Sequence, residues 1–212
     1  MNIEQLQFLE HDRLNEFGLD EFFHKTLNSL HDELQRLRNT IYNYSQHHFV
    51  FALNERAWVG AFNNAILRAF PETAVTLQEF GVYNKSGFIG RADFLVQWKP
   101  DDSKPLYLLF EAKQYEELNK TKLLSDASNY LNFVRKQGQK YFEAETEYYN
   151  DKTVLIIPIA FGWIRKEGFL SEAKKYFGGN EKQDGSTDFC SLYFEGEYGA
   201  WAYGKVYNAR SL

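Results

Sequence analysis

The sequence has almost none of the residues that build disulfides and zinc sites. Cys190 is the only cysteine among 212 residues, so no disulfide can form within the chain, and a reducing, cytoplasmic setting is expected. All five histidines precede residue 49, at His11, His24, His31, His47 and His48. A site built from Cys and His ligands for zinc is therefore not expected.

Long apolar runs are also missing. No stretch reaches the ~20 residues that a membrane-spanning helix needs. The first residues lack the charged and then apolar pattern of a signal peptide. Apolar residues nevertheless make up 44% of the chain and aromatic residues 17%, which excludes general disorder. A chain of this length can bury a full core, so we expect a single globular unit.

An excess of positive charge is the third absence. The net charge is −5, which is unfavourable for a protein that binds nucleic acid. The charge is uneven, however, because residues 81–140 contain ten Lys and Arg against seven Asp and Glu. This basic segment also contains most of the candidate functional residues described below.

The N-terminal region is predicted to be a helical extension, residues 1–53, packed on a core domain of residues 54–212. Residues 1–19 are predicted to form a short helix or arm. After Asp20, apolar residues recur at alternating steps of four and three, which is typical of a helical seam. The seam consists of Phe23, Leu27, Leu30, Leu34, Leu37, Ile41 and Tyr44. We favour packing of this seam on its own domain; a homodimer or protein partner bound through it is the alternative.

Alternating helix and strand patterns follow, which indicates the α/β class. Pro158 lies inside an apolar strand and suggests that strand pairing ends there. The predicted elements are a helix over 54–70, a strand over 74–83, a helix over 123–147, a strand over 154–161, a short helix over 171–177, and closing strands over 189–194 and 200–207.

A hairpin at the centre of the sequence brings charged residues together. The segment from Lys99 to Lys104 has the composition of a turn. Folding about Asp102 pairs residues whose numbers sum to 204, so Asp93 lies opposite Glu111, with Cβ atoms ~5 Å apart. Strand alternation places Lys113 on the same face as Glu111. Burying these charges among apolar neighbours would be costly unless they are paired or bind a cation.

Two helices add further candidates. Glu55 lies on the apolar stripe of the predicted helix 54–70, one turn before Val59. Gln137 and Tyr141 lie one turn apart on one face of the helix 123–147. Gly138, between them, weakens the helix and is expected to permit a close backbone approach.

The order of these residues resembles the PD-(D/E)xK nuclease superfamily, the restriction-endonuclease-like group, and is nearest to its RecB-type members. The resemblance covers about residues 54–161. It rests on the acid Glu55, on Asp93, on the Glu-x-Lys of Glu111 and Lys113, and on the Gln-x-x-x-Tyr of the later helix. Ala92 stands where the motif nominally has Pro. The resemblance implies a central mixed β-sheet flanked by helices.

The resemblance also implies the chemistry of the site. Asp93, Glu111 and the carbonyl of Ala112 would hold Mg²⁺ or Mn²⁺, with Glu55 bound directly or through water. Lys113 would position the attacking water or stabilise the transition state. Gln137 would bond near the scissile group, and Tyr141 would support the nucleic-acid backbone. The candidate phosphate contacts are Arg91, Lys85 and Lys140.

The expected function is a divalent-metal-dependent nuclease, with DNA as the expected substrate. Two alternatives remain open at this point. The first is a catalytically silent binding or assembly module that uses the 23–44 seam. The second is an RNA nuclease, although the sequence has no recognisable RNA-binding signature such as an aromatic strand.

Overall fold

A computed structural model describes residues 3–41, 54–100, 103–115, 122–164, 187–195 and 198–211. Within these ranges, eight strands and four α-helices form a mixed α/β structure. In chain order they are β1 (Glu4–Leu9), α1 (His11–Glu16), α2 (Asp20–Ile41), α3 (Glu55–Ala69), β2 (Ala74–Asn84), β3 (Gly87–Trp98), β4 (Leu106–Tyr115), α4 (Lys122–Ala144), β5 (Thr153–Ile164), β6 (Phe189–Glu195), β7 (Tyr198–Gly204) and β8 (Tyr207–Asn208).

The strands form one sheet in the order β1-β6-β7-β5-β4-β3-β2, with β8 pairing beside β5. The pair β4–β5 is parallel, with α4 between its two strands in the sequence, and the other pairs are antiparallel. Residues of α2 and α3 pack with one face of the sheet, and residues of α4 pack with the other. The predicted architecture, a central mixed sheet flanked by helices, is confirmed at this level.

The register predicted for the central hairpin is confirmed. Cα partners run from Phe94 opposite Phe110 to Trp98 opposite Leu106, and every pair sums to 204. The rings of Phe94 and Phe110 stack with centroids 4.4 Å apart. Beyond this pair the two strands separate, because β3 continues along β2 while β4 continues along β5. The separation creates a fork in the sheet.

Helix α3 begins almost where predicted and is fixed by its cap and its apolar face. The side chain of Asn54 accepts a hydrogen bond from the backbone N–H of Ala57 at 3.0 Å, which is the usual role of an N-cap. Trp58, Phe62 and Ile66 are fully buried, and the Trp58 ring stacks on Phe161 of β5 at 5.2 Å. Packing on the sheet therefore places the first turn of α3 near the end of β4.

The seam of α2 belongs to the core of its own domain. Phe23, Leu27, Leu30 and Leu34 are fully buried, and Leu37 packs partly buried against the same cluster. The four fully buried positions offer no surface for a homodimer. Of the two other predicted seam residues, Ile41 is the last residue of α2 and Tyr44 lies outside the described residues. Among the described helices, none is long and apolar enough to cross a membrane.

The prediction of a helix or arm for residues 1–19 was wrong for the first part of that segment. Residues 4–9 form β1, an edge strand paired antiparallel with β6, and only His11–Glu16 is helical. The side-chain amide of Gln5 donates to the carbonyl of Leu27 at 2.9 Å. The N-terminal region thus contributes a strand to the central sheet and is not purely a helical extension.

Pro158 does not end strand pairing as predicted, because β5 runs on to Ile164. Its parallel pairing with β4 continues past Pro158 to Gly162. On the other side, Pro158 lies between the residues paired with β8 and those paired with β7, a gap that requires no N–H donor. The predicted strand 200–207 is accordingly divided into β7 and β8. The predicted helix 171–177 lies outside the described residues.

Gly138 allows α4 to approach the sheet closely, as the sequence predicts. A Cβ at this position would lie 2.7 Å from Cγ2 of Ile156, which is fully buried, and 3.5 Å from Cγ of Glu111. A side chain here would push α4 away from β4 and β5.

We expect Gly138→Ala to destabilise the protein by about 1–2 kcal/mol, because overpacking outweighs the gain in helix propensity. The matched control is Gly60→Ala in α3, where a Cβ meets nothing within 4 Å. That variant should be about 0.5–1 kcal/mol more stable than wild type. Urea denaturation measures both, and equal stabilisation by the two variants would contradict the close packing of α4.

Candidate functional site

The fork in the sheet is marked by a break in strand alternation at Asp93. Phe94 packs in the cluster on the α2–α3 face, whereas Ala92 and Leu95 both pack on the α4 face. Opposite Asp93 on β2, Glu79 has φ +46°, a left-handed conformation that costs free energy for a residue with a side chain. Both strands are therefore irregular at the same level of the sheet.

Where the backbone pairing of β3 and β4 ends, the side chain of Asp93 forms a hydrogen bond to β4. Its Oδ2 accepts a hydrogen bond from the backbone N–H of Ala112 at 2.6 Å. The last backbone pair before it is Phe94 with Phe110. A side chain thus joins the separating strands and is held beside Glu111, the residue that the register places opposite.

Glu111 has a buried carboxyl group, and one of its oxygens accepts no hydrogen bond from the described residues. The residue is 1% exposed, and its Oε1 has no hydrogen-bond partner among the described residues. The pKa of Glu111 is raised to about 9, first by burial and then by the neighbouring Asp93 carboxylate, against the lowering effects of a hydrogen bond from the Asp93 backbone and of the Lys113 charge. A buried acceptor without a donor is costly, so this position favours a proton or a cation.

Asp93 is subject to the same constraint. Burial raises its pKa, the N–H of Ala112 lowers it, and the negative charge of Glu55 raises it again. Two neighbouring carboxyl groups in a poorly solvated site do not readily ionise together. One of the two groups can stay protonated, or a cation can hold both carboxylates in their charged form.

Glu55 and Lys113 lie beside this pair. Oε2 of Glu55 accepts a hydrogen bond from the backbone N–H of Gln114 at 3.0 Å and lies 3.5 Å from Nζ of Lys113. Glu55 is one-third exposed, and Lys113 is about half exposed. The structure therefore brings Glu55 to the end of β4, where it contacts the lysine as well as influencing the pKa values of Asp93 and Glu111.

The donor set suits a hard divalent cation with few protein ligands. Across the ranges that the structure describes, no three His, Cys, Asp or Glu side chains are arranged to hold a metal ion. Mg²⁺ usually binds one or two carboxylates and retains several waters. Asp93 and Glu111 meet that requirement, and Oε1 of Glu111 has no hydrogen-bond donor among the described residues.

The predicted pair on α4 lies next to the carboxylates. The amide of Gln137 donates to the hydroxyl of Tyr141 at 3.0 Å. Tyr141 is buried, and its pKa is raised by burial and then by the negative charges of Glu111 and Asp93. Its hydroxyl also lies against β3, because a Cβ at Gly90 would be 2.6 Å from it.

The predicted phosphate contacts are not gathered at one point. Arg91 is exposed and lies 3.9 Å from Glu79 at the fork. Lys85 is 94% exposed and lies 3.7 Å from Glu147, in a groove that Lys140 also lines. Arg91 thus lies beside the carboxylates, whereas Lys85 and Lys140 belong to the adjoining groove.

Sequence reasoning missed Glu79 and Arg56. Glu79 lies 3.5 Å from Arg56 and 3.9 Å from Arg91, and its charge raises the pKa of Asp93. The signal that could have found Glu79 was the second hairpin, formed by β2 and β3. The numbers of its paired residues mostly sum to 172, which places Glu79 opposite Asp93. The turn over residues 84–87 would have located this pairing to within one residue.

No protein-family model matches this chain, and no curated protein is significantly similar to it. The geometry of the fork and the chemistry of its residues are therefore what indicate a function.

The raised pKa of Glu111 predicts a specific pH dependence of stability. Its usual value is 4.5 and its value in the folded protein is about 9. Between these limits the folded protein holds a proton that the unfolded chain releases. The free energy of unfolding should therefore fall as the pH rises from about 4.5 to 9.

Glu111→Gln removes this dependence. At pH 8 we expect the variant to exceed wild type in stability by on the order of 1 kcal/mol or more, with the difference vanishing near pH 4. Urea denaturation in EDTA at fixed ionic strength measures it, and the exposed Glu72→Gln is the control, with no pH-dependent difference. A constant difference between Glu111→Gln and wild type at every pH would contradict the environment assigned to Glu111.

Proposed function

We propose that this protein is a divalent-metal-dependent phosphodiesterase of the PD-(D/E)xK type that hydrolyses nucleic acid, with DNA as the preferred substrate. The observation that carries the proposal is the buried, unpaired carboxyl of Glu111 beside Asp93 at the fork. Lys113 and Glu55 lie next to this pair, in the order along the chain that the superfamily motif requires.

A purely structural role for Glu111 is disfavoured by a comparison within the same molecule. Glu33, which is equally buried, has its carboxylate bonded to Arg36 at 2.6 Å and to Arg68 at 3.1 Å. Hydrogen bonding to Arg36 is the largest influence on the pKa of Glu33, which is lowered. Glu33 thus has two arginines at hydrogen-bonding distance, whereas Glu111 has no cation at that distance among the described residues.

Asp93, Glu111 and the carbonyl of Ala112 would hold Mg²⁺ or Mn²⁺. A bound ion of this kind lowers the pKa of water and stabilises charge that develops on phosphate oxygens. Binding would also relieve the repulsion between the two carboxylates and satisfy the free oxygen of Glu111.

The remaining residues orient the substrate and stabilise charge. Nζ of Lys113 lies 3.5 Å from Oε2 of Glu55, and an ammonium held in this place suits electrostatic stabilisation of the phosphate. Hydrolysis adds a water oxygen to phosphorus and breaks one P–O ester bond, so negative charge accumulates where a fixed ammonium is most useful. The side-chain amide of Gln137 donates to the hydroxyl of Tyr141, so the two residues lie on one face of α4.

The alternative of a catalytically silent binding module that uses the 23–44 seam is not supported. The seam residues from Phe23 to Leu34 are buried in the core of this protein. An RNA substrate would use the same centre and is tested as a second arm of the cleavage assay.

Wild-type protein should cleave DNA with Mg²⁺ or Mn²⁺ and lose this activity in EDTA. Asp93→Asn, Glu111→Gln and Lys113→Ala should each lower the rate at least about 100-fold, the loss typical of removing one charge-stabilising group. Matched controls are Glu72→Gln and Lys99→Ala, which change exposed charges elsewhere and should retain wild-type rates.

The assay uses circular and linear DNA and an RNA of the same sequence. Cleavage that persists equally in all three site variants would show that the activity does not arise at the fork. Cleavage of RNA alone would exclude DNA as the preferred substrate.

A further inference from the structure

A groove of about 1000 Å³ lies between the β2–β3 hairpin and the C-terminal end of α4. Its walls combine aromatic rings with lysines and short polar side chains. The lining residues that matter here are Tyr83, Lys85, Phe88, Ile89, Lys140 and Tyr148. None of them belongs to the carboxylate pair at the fork.

Three rings in this groove are exposed to solvent. Tyr83 is 60% exposed, Phe88 is 59% exposed and Tyr148 is 52% exposed. Tyr83 and Phe88 meet edge to face with centroids 5.3 Å apart. Large exposed rings gathered at one place mark a binding surface, since isolated exposed apolar residues need no such explanation. Their planar faces suit a ligand that is itself flat and aromatic.

The groove leads toward the fork. Ile89 lines it, and the next residue, Gly90, lies against the hydroxyl of Tyr141. Lys140 lines it as well and immediately precedes Tyr141 in α4. Ile89 is four residues before Asp93 in β3, a distance of about 13 Å along a strand. A chain lying in the groove therefore reaches the carboxylates after a few further units.

The charges of the groove discriminate between possible nucleic-acid ligands. Glu143, Glu145 and Glu147 line it, against Lys85 and Lys140, so the charged residues of the lining sum to −1. A duplex carries one negative charge per about 1.7 Å and hides the faces of its bases, so it gains little here. A single strand has a lower charge density and exposes base faces that stack on aromatic side chains whatever the sequence.

We propose that this groove binds a single-stranded DNA segment by stacking its bases on Tyr83, Phe88 and Tyr148, and so directs that strand into the centre at the fork. The inference rests on the proposed function for its choice of nucleic acid. It assigns the selection of unpaired over paired DNA to the β2–β3 hairpin and the end of α4.

The test is fluorescence anisotropy with a labelled oligothymidylate in EDTA, where no cleavage is expected. Phe88→Leu and Tyr148→Leu keep apolar volume but remove the ring, and each should weaken binding roughly 5- to 100-fold. Phe88→Tyr and Tyr148→Phe keep the ring and should bind within about twofold of wild type. Thermal unfolding should change little in the two Phe88 variants, because Phe88 is 59% exposed. Tyr148→Leu also loses the ring contacts with Lys152 and Tyr149, so Tyr148→Phe, which keeps the ring, is its control for stability.

Two further measurements sharpen the result. A duplex of equal length should bind at least about tenfold more weakly than the single strand. The logarithm of affinity should fall with the logarithm of salt concentration with a slope of about −1.4, as expected for two phosphate contacts on a single strand.

Leucine variants that bind like wild type, or a duplex that binds as tightly as the single strand, would overturn the inference. These outcomes are separable from failure of the proposed function. If the protein cleaves DNA with metal but the leucine variants bind like wild type, only the role of the groove is refuted. If binding depends on the rings but no cleavage occurs, only the phosphodiesterase activity is refuted.

Discussion

The hydrogen bond from the Ala112 backbone to the Asp93 carboxylate, 2.6 Å long, is the interaction on which the site depends. It lies where β3 and β4 separate, immediately past the stacked rings of Phe94 and Phe110. From Phe94 and Phe110 toward the turn, the backbone pairing of the hairpin is regular. On the other side the strands part, and a side chain replaces backbone pairing. The result is that Asp93 is held beside Glu111 despite their repulsion, in a position that the rest of the sheet keeps fixed.

The surrounding packing makes that arrangement both costly and useful. Gly138 lets α4 close over Glu111, which removes water from the carboxyl and raises its pKa to about 9. The equally buried Glu33 is bonded to two arginines, so the two buried glutamates of the described structure differ in their partners. Free energy lost at an unsatisfied acidic pair can be recovered when a cation binds, which is the usual reason that such strain is retained at functional sites.

The sequence predicts the central hairpin of this protein better than it predicts the edges of the sheet. The turn around Asp102 and the flanking apolar residues determine the hairpin register, so the opposition of Asp93 and Glu111 follows from local information. The strand β1 does not, because its partner β6 lies more than 180 residues away and is invisible to local pattern. Glu79 was missed because a register shift between Val82 and Tyr83 displaces the rest of the second hairpin by one residue relative to its turn. The aromatic groove depends on where the end of α4 meets that hairpin, a tertiary contact that no periodicity encodes.

The most direct test of the central claim is calorimetric titration of the protein with Mn²⁺ at neutral pH, without nucleic acid. The account predicts that wild type binds the ion at the fork and that Glu111→Gln and Asp93→Asn each weaken binding at least about tenfold. Lys113→Ala should retain binding, because an ammonium is not a metal ligand. Absence of binding by wild type, or equal binding by wild type and both carboxylate variants, would contradict the assignment of this pair as a cation site.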